Sequence, residues 1–269
     1  MTVHDERIAE FRRLHSSGCF VMPNPWDVGS AVVLEQMGFR ALATTSAGFA
    51  WTLGRADKGV GLQEMLGHLR TIVDAVSVPV SADFEGGYAE DPDGVGNNVA
   101  RSVETGIAGL SIEDSSNDAA QPLLPLELAV ERIHAARAAI DASGKDLVLT
   151  ARSEGFVVGR PDIEETIRRL CAYAEAGADC LYAPRIDTAD AVSAIVTAVS
   201  PKPVNLLIHT PFITVAEAAA LGVRRISVGG TLSRVAWLGF RQAAQEIADA
   251  GTFTHFRELP NPDALFEQP

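Results

Sequence analysis

The sequence predicts an α/β protein folded as a single-domain (β/α)8 TIM barrel, and three observations predict it. Eight short apolar stretches are spaced along the 269 residues, separated by segments with apolar residues at helical spacing. Four of the junctions share one grammar, the end of a helix, a glycine, then a strand: QMGFRALATTS, ETGIAGLSIED, EAGADCLYAPR and ALGVRRISVGG. No linker or low-complexity segment divides the chain. Strands that alternate with helices form a parallel sheet, and eight is the number that closes a barrel. A doubly wound open sheet is the alternative. It commonly carries a glycine-rich phosphate turn after its first strand, and NPWDVGS does not have that pattern.

Taken in order, MTVHDERIAEFRRLHSSG reads as an amphipathic helix over 1–18, and CFVMPNPWD as the first strand. The second, fourth, sixth and eighth strands follow the glycines Gly38, Gly106, Gly177 and Gly222, each placed where a left-handed cap turns a helix back into a strand. VPVSADFE, DLVLTARSE and PVNLLIHT supply the third, fifth and seventh. PLELAVERIHAARAAIDASG and DIEETIRRLCAYAEAG are helical in period. Residues 231–269 hold a last helix, TLSRVAWLGFRQAAQEIADAG, and a proline-bearing tail, so that 1–269 form one domain.

Composition narrows the function. Apolar residues make up 47% of the chain, enough for a full core, and the formal net charge is −13 with no basic cluster. Nucleic acid is therefore not expected as a partner. No apolar run is long enough for a membrane span, and the N-terminus lacks the pattern of a signal peptide. Cys19, Cys171 and Cys180 have no metal-binding or redox spacing, and the expected setting is the reducing cytoplasm.

In a barrel of this kind the chemistry sits at the C-terminal ends of the strands. Those ends carry Asn24, Trp26 and Asp27; Thr45 and Ser46; Asp83 and Glu85; Glu113 and Asp114; Arg152 and Glu154; Arg185; His209; and Gly229 and Gly230. In an extended strand, residues i and i+2 face the same way, which aims Asp83 and Glu85 together. With Glu113 on the neighbouring strand they offer three hard oxygen donors around one point, the ligand chemistry of Mg2+ with part of its water shell retained. Arg152 is placed to grip a carboxylate or to steady a developing oxyanion. Asp114 and Ser115 read as turn caps, Trp26 as a pocket wall or core residue, and His209 as either a rim histidine or a catalytic one.

NPWDVGSA, GFRALATTSAG, PVSADFEGGY, GLSIEDS, TARSEGF and YAEAGAD, in this order, resemble the serial signatures of the isocitrate lyase/phosphoenolpyruvate mutase superfamily, from about Asn24 to Gly230. The resemblance implies an enzyme, a lyase that makes or breaks C–C or P–C bonds in 2-oxo or 2-hydroxy acids through enolate-like intermediates. It implies Mg2+, with Mn2+ as a substitute, held largely through water by Asp83, Glu85 and Glu113, and Arg152 against the substrate. Thr45, Ser46 and Ala47 fall in the turn that receives the substrate carboxylate, with Trp26 nearby, and Asp57 falls where an aspartate lies near the metal site. The resemblance also implies a homodimer or homotetramer, with the C-terminal helix exchanged between subunits.

The sequence departs from the superfamily in two places. Glu85 stands where an aspartate is usual. The loop SSNDAAQPLLPLE, a lid over 115–125, has neither the catalytic cysteine of isocitrate and methylisocitrate lyases nor a lysine, although Asn117 could serve as the asparagine of the mutase lid. The implied activity is accordingly C–C cleavage of a small 2-oxo or 2-hydroxy (di)carboxylic acid. P–C chemistry on a phosphonate, decarboxylation or hydrolysis of an oxaloacetate-like acid, and a non-catalytic acid-binding barrel are the alternatives. The general acid/base stays open among His209, Asp57 and a metal-bound water.

Overall fold

The computed structural model describes residues 2–116 and 118–267. Asn117 lies outside the described residues. The chain opens with α1 (Val3–Ser16), capped by Thr2, whose hydroxyl accepts from the Asp5 N–H while Asp5 answers to the Thr2 N–H. Ile8, Phe11 and Leu14, at three-residue spacing, bury one stripe of this helix. Then follow β1 (Phe20–Met22), α2 (Val28–Gln36) and β2 (Leu42–Ala43), with Asp27 capping α2 through the Ser30 N–H. The short α3 (Ser46–Thr52) precedes α4 (Leu62–Ala75) and β3 (Val80–Asp83).

The middle of the barrel is α5 (Pro92–Val103), β4 (Gly109–Glu113), α6 (Leu126–Ala142), β5 (Val148–Arg152) and α7 (Ile163–Glu175). It closes with β6 (Cys180–Tyr182), α8 (Ala189–Val199), β7 (Val204–Leu207), α9 (Val215–Ala220) and β8 (Arg225–Ser227). All strand pairs are parallel, in the order β1-β8-β7-β6-β5-β4-β3-β2. This is the (β/α)8 barrel expected from the sequence. Gly38, Gly106, Gly177 and Gly222, the four junction glycines, all have positive φ, between 86° and 102°. That is the backbone region in which only glycine is free of a Cβ clash.

The two ends of the sheet meet between β1 and β2, where the Ala43 N–H donates to Pro23 O at 3.1 Å. Asn24 reinforces this seam. Its Nδ2 donates to Thr44 O at 2.9 Å, and its Oδ1 accepts from the Val228 and Gly229 N–H groups, both at 2.9 Å. One buried side chain thus ties the ends of β1, β2 and β8.

The barrel interior below the mouth is polar. Arg225 donates to Asn205 Oδ1 at 2.8 Å and to Thr150 Oγ1 at 3.0 Å, and its Nη1 lies 3.2 Å from His15 Nε2. Burial and then the Arg225 charge pull the His15 pKa down to about 3, so the ring is neutral and that nitrogen is the acceptor. Its Nδ1–H donates to Phe11 O.

The last helix, α10 (Thr231–Ala250), leaves the barrel. Among its described side chains only Ser233 is buried, while Trp237 is 41% and Phe240 63% exposed. Its main packing partner within the chain is the 3-10 turn Thr254–Phe256, and a second such turn, Pro262–Leu265, follows. No helix among the described residues is long and apolar enough to cross a membrane. Cys180 is buried and Cys19 and Cys171 half-buried, all as free thiols.

Candidate active site at the barrel mouth

β3, β4 and β5 are hydrogen-bonded neighbours, and their last residues, Asp83, Glu113 and Arg152, come side by side at the mouth. Arg152 is the hub. Its Nη1 lies 3.1 Å from Asp83 Oδ1, its Nη2 3.2 Å from Glu113 Oε2, and its Nε donates to Glu154 Oε1. The Tyr182 ring lies beneath it, 5.4 Å from the guanidinium carbon to the ring centroid. Three carboxylates therefore hold the arginine expected to meet a substrate, leaving the remaining N–H groups of its fork for a ligand oxygen. Burial opposes its charge, but Glu113, Glu154 and Asp83 outweigh burial and hold its pKa far above the usual value.

Asp83 also anchors the turn opposite. Its Oδ2 accepts from the Ser46 N–H at 3.0 Å and from the Ser46 hydroxyl at 2.9 Å. The N-terminus of α3, expected from the resemblance to receive a carboxylate, thus already carries one belonging to the protein. Thr45 caps α3 by accepting from the Gly48 N–H. Thr45, Ser46, Ala47, Asp57, Asp83 and Arg152 all line one mouth cavity of about 200 Å³.

Glu85 reaches the site by a route other than strand alternation. β3 ends at Asp83, and Glu85 has φ +47°, so a left-handed turn sets its direction. Its Oε1 accepts from the Tyr88 hydroxyl at 3.1 Å, and Tyr88 also has positive φ, +55°. Burial, with the charges of Asp83 and Glu113, pushes the Glu85 carboxyl up to about 7. Burial and the same two charges raise Asp57 as well. Burial likewise lifts Glu154 to about 7, against the pull of Arg152. For Glu113 burial would raise the pKa, but Arg152 and then Lys58 overcome it and hold the carboxyl below its ordinary value.

Among the described residues, no three histidine, cysteine, aspartate or glutamate side chains converge closely enough to ligate an ion directly. The donor set nevertheless suits a hydrated cation. Glu85 and Glu113 line one cavity, and burial with the charges of Asp83 and Glu113 raises the proton affinity of Glu85, a repulsion that a positive ion held through water would relieve.

Lys58 belongs to the site although sequence reading passed over it. From the loop after α3, its Nζ lies 3.1 Å from Glu113 Oε1 and donates to Ser115 Oγ at 2.7 Å. Ser115 in turn donates to Glu113 Oε1 at 2.6 Å. Lys58 has φ +63° and faces a second cavity of about 740 Å³, shared with Glu85, Tyr88 and Ser115. The available signal was its scarcity: the chain has three lysines, and one follows Asp57 directly. The lid base is fixed by an antiparallel bridge between Ser115 and Leu123 and by the Ser116 N–H donating to Pro122 O at 2.9 Å.

Other expected residues lie elsewhere. His209, just beyond β7, does not line the mouth cavity, and its enclosed Nδ1 has no partner among the described residues. Trp26 packs beside Gly48 and is not among the residues lining the mouth cavity; its Cβ lies 2.9 Å from where a Cβ on that glycine would sit. Asp114 is structural: it accepts from the Glu154 N–H at 2.7 Å, the Tyr173 hydroxyl at 2.6 Å and Arg169 Nη1 at 3.1 Å, all in the interior. Asn117, on the lid, falls outside the described residues.

A parallel barrel with carboxylates and an arginine gathered at its C-terminal mouth has the architecture of a barrel enzyme. The family profile described as Phosphoenolpyruvate phosphomutase matches residues 11–248, so the chain belongs to that family, within the isocitrate lyase/phosphoenolpyruvate mutase superfamily. A crystal structure of a Burkholderia cenocepacia protein, provisionally described as a lyase/mutase, superposes with TM-score 0.96 at 42% identity, covering 100% of this chain and 99% of that one. A crystal structure of 2,3-dimethylmalate lyase gives TM-score 0.84 at 28% identity over 99% of this chain and 94% of that one. The phosphonopyruvate hydrolase of Variovorax is 31% identical over 74% of this chain and 72% of its own.

Proposed function

We propose that the protein is a divalent-cation-dependent lyase that cleaves a C–C bond in a small 2-oxo or 2-hydroxy carboxylic acid. The observation that carries this reading is the convergence of Asp83 and Glu113 on Arg152 beside the α3 N-terminus, at the mouth of a cavity sized for a small acid. Asp83, Glu85 and Glu113 hold the cation, Mg2+ or Mn2+, through water. When bound, it supplies Lewis acidity toward the substrate's 2-oxo or 2-hydroxy oxygen.

The chain does the rest. The turn at Thr45, Ser46 and Ala47 orients the substrate carboxylate alongside the Asp83 carboxylate that already engages Ser46. The free N–H groups of Arg152 stabilise the negative charge that develops as the bond beyond Cα breaks. Asp57, with its raised proton affinity and its place on the cavity wall, is better disposed to move a proton than His209, which lies off the cavity. The lid over 115–125, hinged on the Ser115–Leu123 bridge, excludes water.

A second reading, cleavage of a P–C bond, is supported by the likeness to phosphonopyruvate hydrolase over most of the chain. Relatives named 2-methylisocitrate lyase and oxaloacetate decarboxylase keep the wider acid class in view. The exposed apolar face of α10 supports a homo-oligomer in which a second copy covers that helix.

The test is a Mg2+-supplemented screen of oxaloacetate, substituted malates, methylisocitrate and phosphonopyruvate, with Asp83→Ala as control. Release of a 2-oxo acid from one carbon acid, abolished by the substitution, is the expected result. Phosphate release from phosphonopyruvate alone would move the assignment to P–C chemistry. Binding without turnover of any acid would point to a non-catalytic barrel.

A further inference from the structure

Three arginines line the mouth cavity, and two of them are already held by protein partners. Arg152 is engaged by Asp83, Glu113 and Glu154, so its surroundings are net negative despite its charge. Arg225, at the cavity floor, is engaged by Asn205, Thr150 and His15. Arg185, just past the end of β6, has no hydrogen-bond or ion-pair partner among the described residues and is exposed on the cavity rim.

The backbone at Arg185 sharpens the point. Its φ is +66°, in the left-handed region where glycine is the default and any other residue costs about 1 kcal/mol. The turn alone would be better served by glycine. A non-glycine residue kept in a strained conformation, at a cavity and without a protein partner, has the signature of a side chain held for a ligand. A guanidinium with its whole fork free is matched to a carboxylate.

We infer that Arg185 receives the second carboxylate of a dicarboxylic substrate whose first carboxylate lies elsewhere in the mouth cavity. This deepens the function proposed above and rests on its placing a small acid in the mouth. It narrows the substrate to 2-oxo or 2-hydroxy acids bearing a further carboxylate, and it makes Arg185 a specificity-determining residue. Among the arginines of the mouth cavity, Arg185 alone has no protein partner among the described residues to compete with a ligand carboxylate.

The test is calorimetric binding, in the presence of Mg2+, of (S)-malate and (S)-lactate, which share a 2-hydroxy carboxylate and differ in the second acid group. The wild-type protein binds malate about tenfold or more tightly than lactate, Arg185→Gly loses that margin with lactate affinity unchanged, and Arg185→Lys keeps part of it. Because glycine relieves the backbone, Arg185→Gly also melts no lower than the wild type, a combination that mere structural damage does not produce. A malate-to-lactate ratio unchanged in Arg185→Gly, or equal affinities in the wild type, overturns the inference. Malate and lactate binding indifferent both to Mg2+ and to Asp83→Ala would instead sink the cation-dependent reading, while the ratio would still decide Arg185.

Discussion

Lys58 Nζ and Arg152 Nη2 approach the two oxygens of Glu113 from opposite sides, at 3.1 Å and 3.2 Å. A buried carboxylate is thus bracketed by a cation from the α3–α4 loop and a cation from β5. The arrangement fixes the direction of Glu113 before any ligand arrives and ties the lid base to the site through Ser115.

Replacing Lys58 separates its two effects. Lys58→Met is expected to lower kcat/KM about tenfold to a hundredfold, because Glu113 and the Ser115 end of the lid lose their shared anchor. Mg2+ affinity by calorimetry should stay level or rise, since a competing positive charge has gone. Lys58→Arg should restore part of the rate. Weakened Mg2+ binding in Lys58→Met would contradict this account.

Asp114 is expected to matter for folding rather than for chemistry. It is 3% exposed and accepts three hydrogen bonds, one of them from Arg169. Asp114→Ala removes one of the two carboxylates on the buried Arg169 and leaves the Tyr173 hydroxyl and the Glu154 N–H without their acceptor, and should cost about 3 kcal/mol in urea unfolding. Tyr173→Phe removes one donor and should cost about 1–2 kcal/mol. A large kcat defect in Tyr173→Phe at full folding would give this cluster a catalytic part.

The pH dependence of the cation-free protein has a definite sign. Burial pushes the Glu85 and Glu154 carboxyls up to about 7 in the folded protein, from an ordinary 4.5. Between those values the folded state holds protons that the unfolded chain has released, so stability falls as pH rises. In EDTA the urea midpoint should therefore be higher near about pH 5.5 than near about pH 8. Glu85→Gln should flatten part of that slope. Added Mg2+ should favour ionised Glu85 and release a proton on binding, detectable as a buffer-dependent heat.

The face of α10 predicts the state of assembly. Trp237 and Phe240 stand edge to face, with ring centroids 5.6 Å apart, on a helix whose apolar residues are exposed. Sedimentation should find a homo-oligomer, and Trp237→Asp with Phe240→Asp should shift it to monomer with the barrel's circular dichroism kept. A wild-type monomer at high concentration would refute the expectation.

Much of the barrel was legible because its signals are local. A glycine after each of four helices and apolar runs between helical segments need only neighbours in sequence to be read. Asp83, Glu113 and Arg152 were legible because each ends a strand. Glu85 was chosen for an alternation that the left-handed turn at that residue does not obey. Lys58 was missed because its approach to Glu113 depends on how a loop folds over the mouth, which strand and helix periods do not encode.

The seam held by Asn24 gives the barrel a hinge line in its amide exchange. One backbone bond, from Ala43 to Pro23, joins the two ends of the sheet, and it lies one turn of chain from the Thr45–Ala47 wall of the cavity. Thermal opening at that joint would splay the wall that grips an acid, so a bound acid must resist it. The protection of the Ala43 amide should then rise in proportion to one plus the ratio of free ligand to its Kd, making one exchange rate a gauge of binding at the mouth.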